Sequence, residues 1–306
     1  MLDSTAITVV IPVDDHALRF EESLRSVLVP ELCNAQVHVV DNSNAEQSAM
    51  LASLGDQRVQ RTRLRPSRGL ARPLNVGLAS ARRPYVAILG PDTVVKAGHL
   101  VAAANELQRS TDAGFAFANC EYVAAGGRDK EVHASPRVRH ERAAASEDWE
   151  LIPQPRLVQE LVVADVVGGS GVVVRRELLA ELGPFDESLD SSASLDFWFR
   201  LAHTRGALYR RSVAYIHHEN AARQAALPPA AGARDYIKVL LREKERLHVR
   251  SARRALGHRI ADAFSKLGDD ARRRRKRLRS VALFGYAFLT APTIRRLLAL
   301  LGSLLP

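Results

Sequence analysis

Two aspartates stand just after short apolar segments, where α/β proteins commonly place ligand-binding side chains. Asp41 ends the segment Val37-His-Val-Val-Asp, and Asp92 follows Tyr85-Val-Ala-Ile-Leu with Gly90 and Pro91 between. Ligands of open α/β sheets bind beyond the carboxyl ends of the strands. A carboxylate there can accept hydrogen bonds from a ligand. The two positions predict a ligand site, and capping of a turn is the alternative role for Asp41.

The segments that position these aspartates alternate between strand and helix patterns. Runs of β-branched and apolar residues predict buried strands, and apolar residues at helical spacing predict helices. The predicted strands are residues 6–13, 37–41, 59–64 and 85–89, and the predicted helices are residues 18–29, 47–54, 70–81 and 99–109. This alternation predicts βαβ units and a parallel sheet, with 59–64 at an edge and 85–89 in the centre.

The pattern becomes less regular after residue 110. A strand is predicted over 115–123, followed by an irregular, charged excursion over 124–160. Residues 162–175 have strand character broken by glycines. A helix is predicted over 195–203 and short strands over 207–217.

The composition changes near residue 227, after which the chain is rich in arginine. Leu227-Pro-Pro-Ala-Ala-Gly232 reads as a linker, so we predict an α/β domain over residues 1–226 and a basic, amphipathic helical extension over 227–306. The chain carries a net charge of +10. Much of it lies in residues 272–279 (RRRRKRLR), which precede the apolar run 281–290.

A basic run followed by an apolar run is typical of an interfacial membrane anchor. The basic residues would attract anionic headgroups, and Phe284, Tyr286 and Phe288 would enter the acyl boundary. Arg295 and Arg296 interrupt the apolar length, and a spanning helix needs about 18 or more apolar residues, so none is predicted. The alternatives are an arm for homo-oligomerisation or a tail packed on the first domain. Nucleic-acid binding is disfavoured because no recognised reading module accompanies the charge.

Cysteine usage and the first residues predict a cytoplasmic protein. Cys33 and Cys120 are far apart and lack metal-ligand spacing, which predicts two reduced, packed thiols. The opening Met1-Leu-Asp-Ser-Thr has neither a basic region nor a cleavable apolar stretch.

Four collinear stretches, within residues 6–220, resemble the family-2 glycosyltransferases, which have the GT-A fold. They are Thr8-Val-Val-Ile-Pro12, Val39-Val-Asp41-Asn-Ser43, Gly69-Leu-Ala-Arg-Pro-Leu-Asn75-Val-Gly77, and a later half that contains Gly183-Pro-Phe-Asp-Glu187, Phe197-Trp-Phe-Arg-Leu201 and His217-His218. The resemblance implies a Rossmann-like, mostly parallel sheet flanked by helices, and it implies that residues 1–226 form a glycosyltransferase-like, nucleotide-sugar-binding domain. It also implies transfer of a sugar from a nucleotide-diphosphate donor to the hydroxyl of a glycan or a lipid-linked acceptor, with inversion.

The resemblance also implies which residues bind the donor. Pro12, Asp41, Arg72, Asn75 and Asp92 are the candidates. Arg72, together with Arg68, would face the diphosphate, because guanidinium groups match phosphate oxygens. A solvated helix face is the alternative for both arginines.

The metal-binding motif of the family is incomplete in this chain. The family usually carries Asp-x-Asp after the fourth strand, and here Gly90 replaces the first acid while Asp92 remains. His217 or His218 falls where relatives place a histidine near the metal. Asp92 and His217 with phosphate oxygens would hold Mg²⁺ or Mn²⁺ weakly, and donor binding without metal stays open.

The expected catalytic base is also missing. The family usually has Glu-Asp at the start of the late helix, where this chain has Ala193-Ser194. The candidates for a relocated base are Glu187, Asp190 and Asp196. Two residues along a helix rotate a side chain by about 200°, so Asp196 does not simply replace Ser194. The alternative function is a catalytically degenerate relative that acts as a binding or scaffolding protein.

Overall fold

The computed structural model describes residues 7–43, 55–65, 69–124, 130–133, 148–189, 191–219 and 229–304. The chain divides into two compact units. Unit 1 comprises Met1–Leu161, Asp165–Glu187 and Ala193–Gln224, and unit 2 comprises Val162–Ala164, Ser188–Ser192 and Ala225–Pro306. The division of function between residues 1–226 and 227–306 stays a prediction.

Unit 1 is built on one mixed sheet with helices between its strands. The strands are β1 (Ile7–Val13), β2 (Gln36–Asp41), β3 (Val59–Arg63), β4 (Tyr85–Ile88), β5 (Thr93–Val95), β6 (Ala113–Val123), β7 (Lys130–His133), β8 (Trp149–Ile152), β9 (Val172–Arg175) and β10 (Gly206–His218). The helices are α1 (Phe20–Arg25), a 3-10 turn (Pro30–Leu32), α2 (Ala71–Ala79), α3 (His99–Arg109), α4 (Gln154–Val163), α5 (Arg176–Leu182) and α6 (Ala193–Thr204).

The sheet has the order β3-β2-β1-β4-β9-β6-β10-β5, with β7 paired to β6 and β8 paired to β10. The pairs β1–β2, β2–β3, β1–β4 and β6–β10 are parallel. Strand β9 runs antiparallel between β4 and β6. The predicted α/β class is confirmed, with β3 at an edge and β4 in the interior of the sheet as expected.

Local sequence explains why these elements pack as they do. All seven residues of β1 are buried, as a β-branched run between two parallel strands requires. Helix α2 packs on β1 through Gly77, where an added Cβ would lie 2.3 Å from Cγ1 of Val10. Any larger residue at position 77 would push α2, which carries Asn75, away from the sheet.

Several local predictions were wrong. The excursion predicted over 124–160 contains β7, β8 and most of α4. Of the segment predicted as strand over 162–175, residues 162–163 are the end of α4, whereas the part after the glycines forms β9 as predicted. Leu157, Val158 and Leu161 are buried at helical spacing, so a valine-rich segment forms a helix because one face packs in the core. Residues 207–217 form one long irregular strand rather than short strands. The helix predicted over 47–54 lies outside the described residues.

The two thiols differ from one another. Cys120 is buried, as predicted, whereas Cys33 is exposed. Cys33 follows the 3-10 turn at Pro30–Leu32, which turns its side chain outward while Leu32 takes the core position.

Unit 2 contains the helices α7 (Pro229–Arg246), α8 (Arg250–Arg273), α9 (Arg277–Thr290) and α10 (Ile294–Leu304). Leu256, Ile260 and Leu267 of α8 are buried. Phe284 of α9 is also buried, with its ring carbons 3.1 Å from the Cβ position of Gly268. The predicted membrane insertion of Phe284 is therefore wrong. Searched over the described residues, the helices include none whose length and hydropathy suit a membrane span.

Candidate active site

A cavity of about 270 Å³ lies beyond the carboxyl ends of β4, β6 and β10. Its position agrees with the rule for open α/β sheets. The lining residues are Leu70, Gly90, Pro91, Asp92, Tyr122, Gly168, Gly169, Ser170, Ser194, Tyr215 and His217. Two predicted site residues, Asp92 and His217, share this cavity with Gly90 and Ser194, two of the three positions where the motif acids are missing.

Asp92 and His217 meet because β5 pairs with β10. The register places His217 opposite Thr93, and the His218 N–H donates to the Asp92 carbonyl over 2.9 Å. Thr93 Oγ1 lies 3.1 Å from Nδ1 of His217 and fixes the ring. Asp92 is 4% exposed, and its carboxylate accepts a hydrogen bond from the Arg19 N–H over 3.2 Å. The pair is thus held by backbone geometry on two strands rather than by flexible loops.

Ser170 lies beside Gly90, the position where the family usually has the first acid. The Gly90 N–H donates to Ser170 Oγ over 2.7 Å. A Cβ added at position 90 would lie 3.4 Å from Ser170 Oγ and 3.3 Å from Thr93 Oγ1. A carboxylate at position 90 would therefore require these hydroxyls to shift by a few tenths of an ångström.

Asp41 forms a second polar cluster at the ends of β2 and β3. Its fully buried carboxylate accepts hydrogen bonds from the N–H and the hydroxyl of Ser43 at 3.0 and 2.5 Å, and from Arg61 Nε at 3.1 Å. Burial raises the pKa of Asp41, but these hydrogen bonds outweigh burial and leave the pKa below its ordinary value. Asp41 is therefore a charged group covered by Arg61, whose side chain is 28% exposed.

Asn75 joins helix α2 to the turn that follows α5. Its Nδ2 donates to the Phe185 carbonyl at 3.0 Å and to Glu187 Oε1 at 2.8 Å, and the Phe185 N–H donates to its Oδ1 at 2.8 Å. Asn75 thus positions the segment that carries Glu187. Arg72 is exposed in the first turn of α2, and Pro12 is buried within β1.

Asp196 is engaged in a structural ion pair. Its carboxylate lies 2.9 Å from Arg200 Nε, and Arg200 also donates to the carbonyls of Leu182 and Pro184. Asp190 and Arg68 lie outside the described residues. The roles assigned to these residues, and to the other predicted site residues, stay predictions.

The chemistry of the ligand set suits a weakly held cation. Among the described residues, no group of three or more His, Cys, Asp or Glu side chains is placed to hold a metal ion. Asp92 and His217 together supply two candidate ligands in the cavity. Mg²⁺ and Mn²⁺ complete their coordination readily with phosphate oxygens and water. The residues present therefore fit a cation that arrives with a diphosphate.

Sequence reasoning missed three residues of the cavity wall: Tyr122, Ser170 and Tyr215. Tyr122 stands near the end of β6, so the strand-end rule that selected Asp41 and Asp92 would have found it. Its ring packs edge-on against His217, with centroids 5.3 Å apart, and burial raises the pKa of Tyr122 to about 12. Ser170 gave no signal, because its role depends on the turn that places it beside Gly90.

A larger groove of about 910 Å³ lies at the amino ends of β2 and β3. Its lining includes Arg58, Arg82 and Arg83, and Asp56 pairs with Arg58 over 2.6 Å. Arg58 also donates to the carbonyls of Val29 and Leu32. This groove is at the opposite ends of the strands from Asp92, and we assign the chemistry to the smaller cavity.

His99 supports the glycine-rich wall of the cavity from behind. Its Nε2–H donates to the Gly171 carbonyl at 3.2 Å, and its Nδ1 accepts from Arg210 at 3.4 Å. These two partners require a neutral imidazole that carries its proton on Nε2. The ring stacks on Trp149 with centroids 6.2 Å apart. Burial lowers the pKa of His99 to about 4.

We expect His99 to make unit 1 sensitive to acid. A histidine with a folded-state pKa near 4 and an unfolded value near 6.5 stabilises the fold above pH 6.5 and loses this contribution as the pH falls toward 4. The loss amounts to about 2 kcal/mol of unfolding free energy between pH 7 and pH 4.5. Urea unfolding followed by tryptophan fluorescence measures it, since Trp149 and Trp198 are the protein's 2 tryptophans.

The control is His99→Gln, whose amide can still donate to the Gly171 carbonyl and does not titrate. Its unfolding free energy should fall by about 2 kcal/mol less than that of the unaltered protein over this pH range. Equal pH dependence in both proteins would show that His99 titrates normally.

Comparison with known proteins agrees with this geometry. The model of "Glycosyl transferase family 2" matches residues 8–183. An uncharacterized glycosyltransferase of Rickettsia prowazekii (strain Madrid E) is 23% identical over 220 residues, covering 71% of this chain and 62% of the relative. An uncharacterized protein of Mycobacterium tuberculosis (strain CDC 1551 / Oshkosh) is 26% identical over 231 residues, covering 71% and 66%. The chain thus spans less than two thirds of the length of either relative.

Solved structures show the same fold. Staphylococcus aureus TarS 1–349 in complex with UDP-GlcNAc superposes with a TM-score of 0.60 at 16% identity, covering 96% of this chain and 83% of that one. GalNAc-T7 with UDP, GalNAc and Mn²⁺ gives a TM-score of 0.59 at 14% identity, covering 77% and 48%. The sheet and its flanking helices are those of the GT-A type. Because the family model matches more than half of its length, the chain belongs to glycosyl transferase family 2.

Proposed function

We propose that this protein transfers a hexosyl group from a nucleotide-diphosphate donor to an acceptor hydroxyl. The observation that carries the proposal is the cavity that gathers Asp92, His217 and motif positions 90 and 194 at the carboxyl ends of the strands. Family-2 membership supports the reaction class. One similar structure holds UDP-GlcNAc and another holds UDP, so UDP-sugars are the first donors to test.

Asp92 and His217 are the residues that would hold a divalent cation in this reaction. When bound, such a cation would neutralise charge on the donor diphosphate and on the departing nucleotide. The two protein ligands predict weak affinity for Mg²⁺ or Mn²⁺ without nucleotide. Tyr122 confines His217 on the cavity side, and Thr93 holds its Nδ1.

The displacement we propose is direct. The acceptor oxygen bonds to the anomeric carbon while the bond to the donor phosphate oxygen breaks, and the nucleoside diphosphate departs with the electron pair. A base takes the acceptor proton, and attack from the opposite face inverts the anomeric centre. Of the three candidates, we favour Glu187 because Asn75 positions it, whereas Asp196 is paired with Arg200.

The acceptor we propose is a glycan or a lipid-linked glycan, modified in the cytoplasm at the inner face of the membrane. The exposed basic run at residues 272–279 supports this location, because anionic headgroups attract such runs. We propose no nucleic-acid partner.

A non-catalytic binding protein is the second candidate function. The cavity lining favours it, because Gly90 and Ser194 stand where the family usually has acids and Asp92 contributes the carboxylate among the described lining residues. Incubation with a panel of UDP-sugars and GDP-sugars, with Mn²⁺ or with chelator, discriminates between the two. Release of nucleoside diphosphate above background supports the transferase. Tight nucleotide binding with no turnover of any donor would favour the binding protein.

The Asp41 cluster gives a prediction about nucleotide binding. We expect Asp41→Asn to weaken UDP binding by roughly tenfold, because the buried carboxylate holds Arg61 and Ser43 at the strand end. If Asp41 acts through Arg61, Arg61→Gln should weaken binding equally, and the double variant should be no worse than either. Calorimetric titration with UDP measures all three.

Asp56→Asn is the matched control, since Asp56 also pairs with an arginine but lies at the opposite ends of the strands. It should leave UDP binding unchanged. Tighter binding by Arg61→Gln would instead show that Arg61 covers Asp41 and that the nucleotide contacts the carboxylate directly.

A further inference from the structure

Helix α10 exposes its apolar side, whereas an ordinary surface helix buries that side against the protein core. Five of its apolar side chains are 38–80% exposed, and they share one side of the helix at spacings of three and four residues. These residues, the α10 apolar face, are Ile294, Leu297, Leu298, Leu301 and Leu304.

A buried arginine holds the helix in this orientation. Arg296 is 8% exposed, and its guanidinium lies 2.6 Å from the Asp262 carboxylate. It also donates to the carbonyls of Ala291 at 2.7 Å and His258 at 3.2 Å. Rotating α10 to bury its leucines would strip a charged group of these partners, at a cost of about 3–5 kcal/mol. The outward leucines are therefore fixed by the fold of unit 2.

A dense positive charge adjoins the α10 apolar face. Residues 272–279 are all exposed, and all except Leu278 are Arg or Lys. Arg277 donates to the Leu304 carbonyl, which brings the start of α9 to the end of α10. Leu278, 89% exposed, and Leu289, 77% exposed, add apolar surface on α9.

We propose that the α10 apolar face, together with the basic run 272–279, docks unit 2 on an anionic lipid surface. Apolar side chains beside basic residues match the acyl boundary and the headgroup layer of such a membrane. A second copy of this chain is a poorer occupant, because pairing the two faces would bring two basic runs together. This inference is independent of the transfer reaction proposed above.

The structure also revises which side chains insert. The sequence pattern pointed to the aromatic residues of α9, of which Phe284 is buried in unit 2 and Tyr286 is 58% exposed. The leucines of α10 take the place of Phe284, and Arg296, which breaks the apolar run in the sequence, is the residue that turns them outward.

The test is co-sedimentation of the full chain with vesicles of phosphatidylcholine, with and without phosphatidylglycerol. We expect binding to the mixed vesicles at low salt and little binding to phosphatidylcholine alone. Leu297→Gln with Leu301→Gln should weaken it by roughly tenfold or more. Arg272→Gln, Arg273→Gln and Arg275→Gln should each cost about fivefold, which corresponds to about 1 kcal/mol per arginine near the surface.

Leu18→Gln is the matched control, because Leu18 is 71% exposed but lies in unit 1. It should sediment like the unaltered protein, and melting curves should confirm that every variant folds. Absence of sedimentation at low salt, or equal loss in the Leu18 control, overturns the proposal. So does a concentration-dependent dimer that the leucine variants abolish, since the face would then join two copies.

Discussion

Asp92→Asn should lower transfer by roughly 10²–10³-fold, the usual cost of removing a charged group that acts on the transition state. Asp92 contributes the carboxylate among the described residues that line the cavity. Asparagine keeps the shape and the hydrogen bond from the Arg19 N–H, so the loss would report charge rather than folding. Steady-state release of nucleoside diphosphate from the best donor measures it.

The effect of Asp92→Asn on UDP binding should depend on the metal. In the presence of Mn²⁺, UDP should bind more weakly to the variant because one of two protein ligands has lost its charge. With chelator, UDP should bind as well as before or better, since a carboxylate no longer faces the diphosphate. Calorimetry under both conditions separates the two roles.

Asp112→Asn is the control, an exposed aspartate just before β6 at the opposite end of that strand. It should leave turnover and UDP binding unchanged. Full activity of Asp92→Asn would remove Asp92 from the reaction and move the search to the Asp41 cluster.

The sequence was informative wherever local pattern and burial agree. Strands β1 and β4 are buried on both faces, which gives continuous apolar runs in the sequence. Helix α3 is buried along one side, which gives apolar residues at helical spacing. Asp41 and Asp92 could be selected because both follow such strands. The local pattern could not pair His217 with Asp92, and only the family resemblance did so, because β5 has three residues and it is its pairing with β10 that brings the two together.

Other features depend on contacts between distant segments. The valine-rich end of α4 has the composition of a strand, and its helical form depends on packing that local sequence does not specify. Asn75 was predicted beside the donor, yet its amide holds the turn at Phe185 across the chain. Arg296 reads as an interruption of an apolar run, and its contacts with Asp262 and two carbonyls show that it is buried.

Glu187→Gln should lower kcat by roughly 10²–10⁴-fold, the usual contribution of a general base. Glutamine retains an oxygen that can accept the 2.8 Å hydrogen bond from Asn75, so the turn should keep its position and KM should change little. Asp196→Asn should act differently. It weakens the pairing that holds Arg200 against the carbonyls of Leu182 and Pro184, so the melting temperature should fall while kcat stays near its original value.

A rescue experiment makes this assignment stringent. Ser194 lines the cavity at the position where the family usually has an acid, so Ser194→Asp in the Glu187→Gln background should restore part of the lost turnover. Unchanged kcat in Glu187→Gln with a large loss in Asp196→Asn would reverse the assignment.

If the unaltered protein turns over no donor, Gly90→Asp with Ser194→Asp tests for a decayed enzyme. Ser170→Ala should accompany it, because Ser170 Oγ lies 3.4 Å from the Cβ position at Gly90. Turnover gained in this variant would show that the cavity still places an acceptor hydroxyl at the anomeric carbon, whereas a silent variant with intact UDP binding would indicate a protein reshaped for binding alone.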